Sequence, residues 1–143
     1  MEELLELREH IQQGRYTSAL VLIGEMEDMS RDDKINRIES FLEILMLHLI
    51  KQQAEKRTTR SWEISIRNAS EQIARSNRRR KAGGLYLTQE EITEAVHESY
   101  PSALRYASLE AFGGVYTPEE LAGMVEESAI KEEALGLILE AQA

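Results

Sequence analysis

The residues best suited to bind a charged ligand form one cluster of positive charge. Arg78, Arg79, Arg80 and Lys81 are consecutive, and Arg75 lies three residues before the first of them. Because an α-helix turns once in 3.6 residues, a helix through this segment would place Arg75, Arg78 and Arg79 on one broad face. Planar guanidinium groups bind two phosphate oxygens at once. The basic helix over residues 75–81 is therefore a candidate binding surface, with nucleic acid among its candidate ligands.

A second interpretation makes the same run the basic end of a helix. Gly83 and Gly84 follow it, and glycine is the usual residue just beyond a helix end. Cations in the last turn also complement the partial negative charge at that end. The run contains no aromatic residue that could stack on bases, and the net charge of −9 repels a long polyanion. A solvated or protein-facing helix end is therefore preferred, and nucleic-acid binding is the alternative.

The charge is distributed unevenly along the chain. Residues 51–81 contain ten lysines and arginines but three acidic residues, so this segment carries +7 and the remainder carries −16. Such asymmetry can mark an interaction surface, or the basic segment can pack against acidic neighbours.

Residues for catalysis or metal binding do not form a recognisable constellation. The chain has no cysteine, which excludes disulfides, thiolate metal sites and cysteine nucleophiles. His10, His48 and His97 are far apart in sequence, and no glycine-rich phosphate loop is present. We expect no catalytic residue, no metal and no cofactor. His48 lies in the most apolar segment, where a core position is expected.

No segment of the sequence has the length and apolarity of a membrane span. The longest nearly apolar run, "FLEILMLHLI", is interrupted by Glu43 and His48. It is far shorter than the roughly 20 residues that cross a bilayer. The N-terminus lacks the basic start and apolar run of a signal peptide. We expect a cytoplasmic protein that does not insert into a membrane.

Apolar residues recur at spacings of three and four along nearly the whole chain. The first helix is expected to end at Gly14, the second to run from Tyr16 to Met29, and a third to begin after a cap at Ser30. Thr58 or Thr59 can cap the helix that contains Trp62. The sequence predicts an all-α fold of six or seven helices in a single domain over residues 1–143.

The last third of the chain carries two helix-start signals. "TQEE" at residues 88–91 and "TPEE" at residues 117–120 are capping boxes, each with a threonine cap and a glutamate three residues later. The helix that begins after Thr88 is expected to end near Pro101, with Leu104, Ala107 and Leu109 on a further helix that "FGG" ends. Residues 125–143 are expected to form an acidic C-terminal helix.

The central third of the chain resembles a bacterial family, abundant in cyanobacteria, that is catalogued as domain of unknown function number 29. The resemblance rests on "RIESFLEILMLHLIKQQ" followed by "RSWEISIRNASEQI" and covers roughly residues 4–124. The matching positions are Leu45, His48, Leu49, Lys51, Arg60, Ser61, Trp62, Ile66 and Arg67.

That resemblance implies an all-helical fold and no established activity. The helices that carry His48 and Trp62 are joined by a short connector and are expected to pack antiparallel. Arg60 and Arg67 are then expected to pair with Glu39 or Glu43. We expect a non-catalytic interaction module that binds another protein or itself, with a nucleic-acid-binding or antitoxin-like regulator as the alternative.

Overall fold

The computed structural model describes residues 2–79 and 83–143, and within these ranges the protein is all-α, as the sequence predicts. The one β-type pairing in the described ranges is an isolated bridge between Arg78 and Leu85. The helices are α1 (Glu2–Gln12), α2 (Tyr16–Glu55), α3 (Arg60–Asn77), α4 (Gln89–Glu110), α5 (Pro118–Ala122) and α6 (Glu127–Gln142), with a 3-10 turn (Ala111–Gly114) after α4.

The chain divides into two compact units, and the division falls within α2. The N-terminal unit is Met1–Ile35 and the C-terminal unit is Asn36–Ala143. The single-domain organisation over residues 1–143 stays a prediction.

The N-terminal unit consists of α1 and the first part of α2, joined by a tight turn. The predicted end of α1 near Gly14 is confirmed, and Gly14 adopts a positive φ of 74° in the turn. The Arg15 amide donates to the His10 carbonyl at 2.8 Å, and the Arg15 Nε donates to His10 Nδ1 at 3.0 Å. Ala19 and Leu22 are buried, as their spacing predicts.

The predicted break at Ser30 is wrong, because α2 runs without interruption for 40 residues. The apolar spacing changes phase near this position, and Ser30 with Asp32 and Asp33 resembles a helix start. However, residues 25–55 contain neither glycine nor proline, the residues that most strongly end a helix. The α-helical backbone therefore continues through the change of phase.

The C-terminal unit is built around the second part of α2. This stretch buries an unbroken apolar surface on the pattern expected of a core helix; its fully buried large side chains are Ile38, Leu42, Leu45, Met46, Leu49 and Ile50. α3 packs against α6, and α4 packs against α5, α6 and the 3-10 turn. On α3 the buried residues include Trp62, Ile66, Ala69 and Ile73, the stripe that the sequence predicts.

Three threonines start helices in this unit. Thr59 caps α3 by accepting a hydrogen bond from the Trp62 amide at 3.1 Å. Thr88 and Thr117 form the two predicted capping boxes. The expected end of a helix at Pro101 is wrong, since α4 passes through this residue. Tyr100 and Ala103, on either side of it, are both buried, so packing of α4 outweighs the loss of one backbone hydrogen bond.

Candidate functional site

The basic run does not form the helical end that the sequence suggests. α3 ends at Asn77, and Arg78 is its C-cap in an extended conformation. The Arg79 amide donates to the Gly84 carbonyl at 3.0 Å. We call the described residues 78–79 and 83–86 the basic turn. The predicted basic helix over residues 75–81 is therefore wrong at Arg78 and Arg79. Arg80 and Lys81 lie outside the described residues.

The turn is anchored by a buried asparagine. Asn77 has no exposed surface, and its amide nitrogen donates to the Leu87 carbonyl at 3.2 Å and to Gln142 Oε1 at 2.9 Å. Its side-chain oxygen accepts from the Leu87 amide at 2.7 Å. These bonds compete with continuation of the helix, because asparagine side chains readily replace backbone partners. The side chain of Asn77 thus fixes the point at which the basic segment leaves α3.

Three arginines of the basic run are described, and all are exposed. Arg75, Arg78 and Arg79 form no ion pair with any residue in the described ranges. The Arg79 guanidinium lies 6.0 Å from the centre of the Tyr86 ring, which is the outer limit of a cation–π contact. Tyr86 therefore places an aromatic ring beside the basic run, although the run itself contains no aromatic residue.

Two residues of the family motif, Lys51 and Trp62, pack against one another. Lys51 is buried, and its Nζ lies 2.9 Å from Glu110 Oε1 and 4.6 Å from the centre of the Trp62 ring. The Arg57 guanidinium lies 4.6 Å from the same ring. Burying an ammonium group is costly unless it is paired, and here a carboxylate and an aromatic face both compensate it. The cluster joins α2, α3 and α4 and is a packing junction.

Arg60 and Arg67, the two arginines of the family motif, are both exposed. Arg67 pairs with Glu71 on its own helix, with Nε and Oε1 separated by 3.3 Å, and both side chains are exposed. Arg60 is also exposed. The expected pairing of Arg67 with Glu39 or Glu43 is therefore wrong, because residue 67 lies on the solvent side of α3. An exposed pair of this kind contributes little to stability.

His48 is half-buried in the most apolar part of α2. Its Nδ1 atom is buried and has no hydrogen-bond partner among the described residues. Burial lowers the pKa of His48, Lys51 lowers it further, and Glu110 partly opposes the shift. Burial and the Lys51 charge thus favour the neutral form of the imidazole. Within the described ranges no group of three or more His, Asp or Glu residues is placed to hold a metal ion.

The surroundings of the Glu39 carboxylate disfavour its ionised form. Partial burial raises its pKa, and the negative charges of Glu98 and Glu43 raise it further. Because the folded pKa exceeds the unfolded one, ionised Glu39 destabilises the fold above that pKa, and protonation relieves the penalty as the pH falls.

We expect Glu39→Gln to raise the free energy of unfolding at neutral pH, with the gain shrinking in acid. Urea melts across pH check this against Glu133→Gln at an exposed position of α6; equal gains for both variants would contradict it.

A groove of about 450 Å³ lies along α4 and α6. Val96 and Leu135 form part of its lining, and Lys131 lies at its rim with Nζ 2.6 Å from Glu127 Oε2 and 5.2 Å from the Tyr100 ring centre. Burial and the nearby Glu127 charge raise the pKa of Tyr100 to about 12, so its phenol stays protonated. Since Lys131 and Glu127 neutralise one another, this groove offers less to a charged ligand than the basic turn does.

The N-terminal unit exposes an unusual number of large apolar side chains. All residues of α1 are described, and none of them is buried. Isolated apolar residues on a surface are ordinary, but a group of them marks a contact surface. The exposed large apolar residues of this unit are Leu4, Leu5, Ile11, Tyr16, Leu20, Val21 and Met29.

A second apolar face on α2 explains part of this exposure. Thr17, Leu20, Val21 and Gly24 follow the spacing of three, four and seven that places residues on one helix face. That face lies opposite the buried residues Ala19 and Leu22. Leu20 and Val21 are 69% and 59% exposed. We call Thr17, Leu20, Val21 and Gly24 the outer face of α2.

The sequence reasoning missed the outer face, although its signal was present. The segment "ALVLIG" is apolar on every side of a helix, and such a helix is normally covered all round. Assigning Ala19, Leu22, Ile23 and Met26 to a core stripe left Leu20 and Val21 without a role. Leu20 and Val21, the apolar residues left over once the core stripe is assigned, are therefore the sequence signal for the outer face.

Comparison with known proteins gives one match. A family model described as "Domain of unknown function DUF29" matches residues 7–127. No curated protein and no solved structure matches the chain. In the part of the chain that the structure describes, no helix combines the length and apolarity needed to cross a membrane.

Proposed function

We propose that this chain, which belongs to the DUF29 family, is a non-catalytic protein-interaction module of the bacterial cytoplasm. Its contact surface in this proposal is the outer face of α2, together with the exposed apolar residues of α1. The C-terminal unit then serves as the stable body that carries this surface.

The exposed apolar area of the N-terminal unit is the observation that carries the proposal. Seven large apolar residues of this unit are between 45% and 69% exposed, and Leu20 and Val21 lie side by side on the outer face of α2. Groups of exposed large apolar residues mark contact surfaces. Covering such an area with protein is favourable, at about 25 cal/mol for each Å² removed from water.

Charge supports a role for this surface in orienting a partner. Five acidic residues follow the outer face on α2, namely Glu25, Glu27, Asp28, Asp32 and Asp33. Charged residues around an apolar centre speed encounter and disfavour wrong partners, while the apolar centre supplies most of the binding energy. The outer face with its acidic border has this arrangement.

Affinity capture from the protein's own host tests the proposal. Tagged wild-type protein is used as bait at moderate salt, with and without nuclease, beside the double variant Leu20→Glu/Val21→Glu. We expect protein to be captured after nuclease treatment and to be lost with the double variant. Ile64→Glu is the matched control, since Ile64 is an exposed apolar residue on α3. Capture that is unchanged by the double variant, or lost equally with the control, would contradict the proposal.

Nucleic-acid binding through the basic turn is the second candidate. It is favoured by the exposure of Arg75, Arg78 and Arg79 and by the position of Tyr86 beside Arg79. If these arginines contact duplex phosphates, a tenfold rise in salt should lower the affinity by about 0.9 log units for each phosphate that is neutralised. If the captured material is nucleic acid, disappears with nuclease and is lost in Arg78→Glu/Arg79→Glu, this candidate replaces the first.

A further inference from the structure

We infer that the groove between α4 and α6 binds an amphipathic helix of a partner protein, one with apolar residues on the face that enters the groove and lysine or arginine along its edges. This inference goes beyond the proposed function, because it gives the C-terminal unit a contact surface of its own. It does not use the outer face of α2, so either surface can be disproved while the other stands.

The groove has the length of a short helix. On α6 its lining runs from Glu127 to Leu135. On α4 it includes Thr93 and His97, and a second hollow that shares these two residues extends along α4 to Gln89. The lining on each helix therefore rises roughly 12 Å, at 1.5 Å for each residue, which is the length of about two turns of a partner helix.

The floor of the groove is apolar. Val96 and the half-buried Leu135 contribute to it, and most of the surface that lines the groove is apolar. A helix that lies in a groove presents its apolar residues at spacings of three, four and seven, so that they enter the groove together. An apolar stripe is therefore the first feature that the partner requires.

The border of the groove is acidic. Glu132 borders the groove, and Glu90 and Glu94 border the adjoining hollow. All three are exposed, and none of them forms an ion pair with another residue in the ranges that the structure describes. Glu127 also lines the groove, but Lys131 compensates its charge. The net charge around the apolar floor is therefore negative.

The two helices supply little positive charge to this border. Besides Lys131, Arg105 is the one lysine or arginine of α4 and α6. Arg105 lies roughly 16 Å along α4 from Glu94, at 1.5 Å for each residue, and its Nη2 donates to Ser102 Oγ at 2.9 Å. Charged groups around an apolar centre select partners of opposite charge. Lysine or arginine beside the apolar stripe is therefore the second feature that the partner requires.

Synthetic peptides test the groove on the full chain. The probe is a leucine–lysine peptide of about 14 residues, whose leucines recur at spacings of three and four. Its control has the same composition, with the leucines rearranged so that they lie on all sides of a helix. Fluorescence anisotropy of each labelled peptide measures its affinity for the wild-type protein. We expect the amphipathic peptide to bind about tenfold more tightly than the rearranged one, since its leucines enter the groove together.

Neighbouring residues of α6 supply matched variants. Glu132→Lys is expected to weaken binding of the amphipathic peptide about fivefold, because an attraction at the border becomes a repulsion. Glu133→Lys changes the net charge equally at an exposed position that does not line the groove, so it should have little effect. Leu135→Ala is expected to weaken binding about threefold, whereas Leu137→Ala should not, since Leu137 is half-buried in a different hollow beside α3. Circular dichroism verifies the helicity of every variant.

Each part of the inference has an outcome that would overturn it. Equal weakening by Glu132→Lys and Glu133→Lys would show that the overall negative charge attracts the peptide, and not the border of the groove. Equal weakening by Leu135→Ala and Leu137→Ala would place the binding elsewhere. A rearranged peptide that binds as tightly as the amphipathic one, or the absence of binding by either peptide, would overturn an amphipathic helix as the occupant. None of these outcomes bears on capture through the outer face of α2, so the proposed function is tested separately.

Discussion

Replacing Trp62 with alanine is expected to lower the free energy of unfolding by about 3–5 kcal/mol, the usual loss for a buried aromatic residue. Trp62 is 8% exposed. Its ring contacts the buried Lys51 ammonium and the Arg57 guanidinium, each 4.6 Å from the ring centre. Alanine would remove the apolar contacts and leave Lys51 with Glu110 as its remaining partner, which adds to the loss.

Denaturant melts of wild type, Trp62→Ala and Ile64→Ala measure this effect. Ile64 lies two residues away on the same helix and is 49% exposed, so its truncation should cost well under half as much. A loss at Trp62 no larger than the loss at Ile64 would show that the junction of α2, α3 and α4 does not stabilise the fold as described. Because Trp62 is the one tryptophan, the melts are followed by circular dichroism.

Replacing Gly114 with alanine is the second large expected effect. Gly114 ends the 3-10 turn with a φ of +81°, a conformation that costs a residue with a Cβ about 1–2 kcal/mol. A Cβ atom there would also lie 2.7 Å from the Leu109 carbonyl oxygen, which is too close. Since the obstructing atom belongs to the backbone, it cannot move aside as a side-chain end can. We expect a total loss of about 3 kcal/mol or more.

The neighbouring glycine provides a matched control. Gly113 has a similar φ of +72°, but a Cβ built on it meets no atom within 4 Å. Gly113→Ala should therefore lose the conformational part alone, about 1–2 kcal/mol. Melts of the two variants separate the two causes. Equal losses at both positions would contradict a steric role for the Leu109 carbonyl.

The fold class and most helix starts could be predicted because they depend on local signals. The capping boxes at Thr88 and Thr117 and the apolar stripe of α3 are short patterns with one physical reading. The breaks at Ser30 and Pro101 were wrong for different reasons. Ser30 carries a local signal for a helix start, but residues 25–55 contain no glycine or proline that would end the preceding helix. At Pro101 the packing of Tyr100 and Ala103 outweighs the proline, and a short window of sequence does not show that packing.

The basic turn shows the same limit at the candidate site. The glycines after residue 82 correctly indicated a stop, but the position of the stop depends on Asn77. Asn77 is bound by Leu87 and by Gln142, the latter 65 residues further along the chain. Partners that distant cannot be read from sequence spacing. In contrast, the outer face of α2 was readable from its spacing, since Leu20 and Val21 alternate with the core stripe.

The central claim is that Leu20 and Val21 contact protein, and sedimentation of fluorescently labelled protein tests it most directly. Wild type, Leu20→Glu and Ile64→Glu are sedimented in buffer over a wide concentration range and again in nuclease-treated host extract. We predict that wild type and Ile64→Glu sediment faster than a 16.3 kDa monomer in at least the extract, while Leu20→Glu sediments as the monomer. Wild type that sediments as a monomer in both conditions would contradict the account.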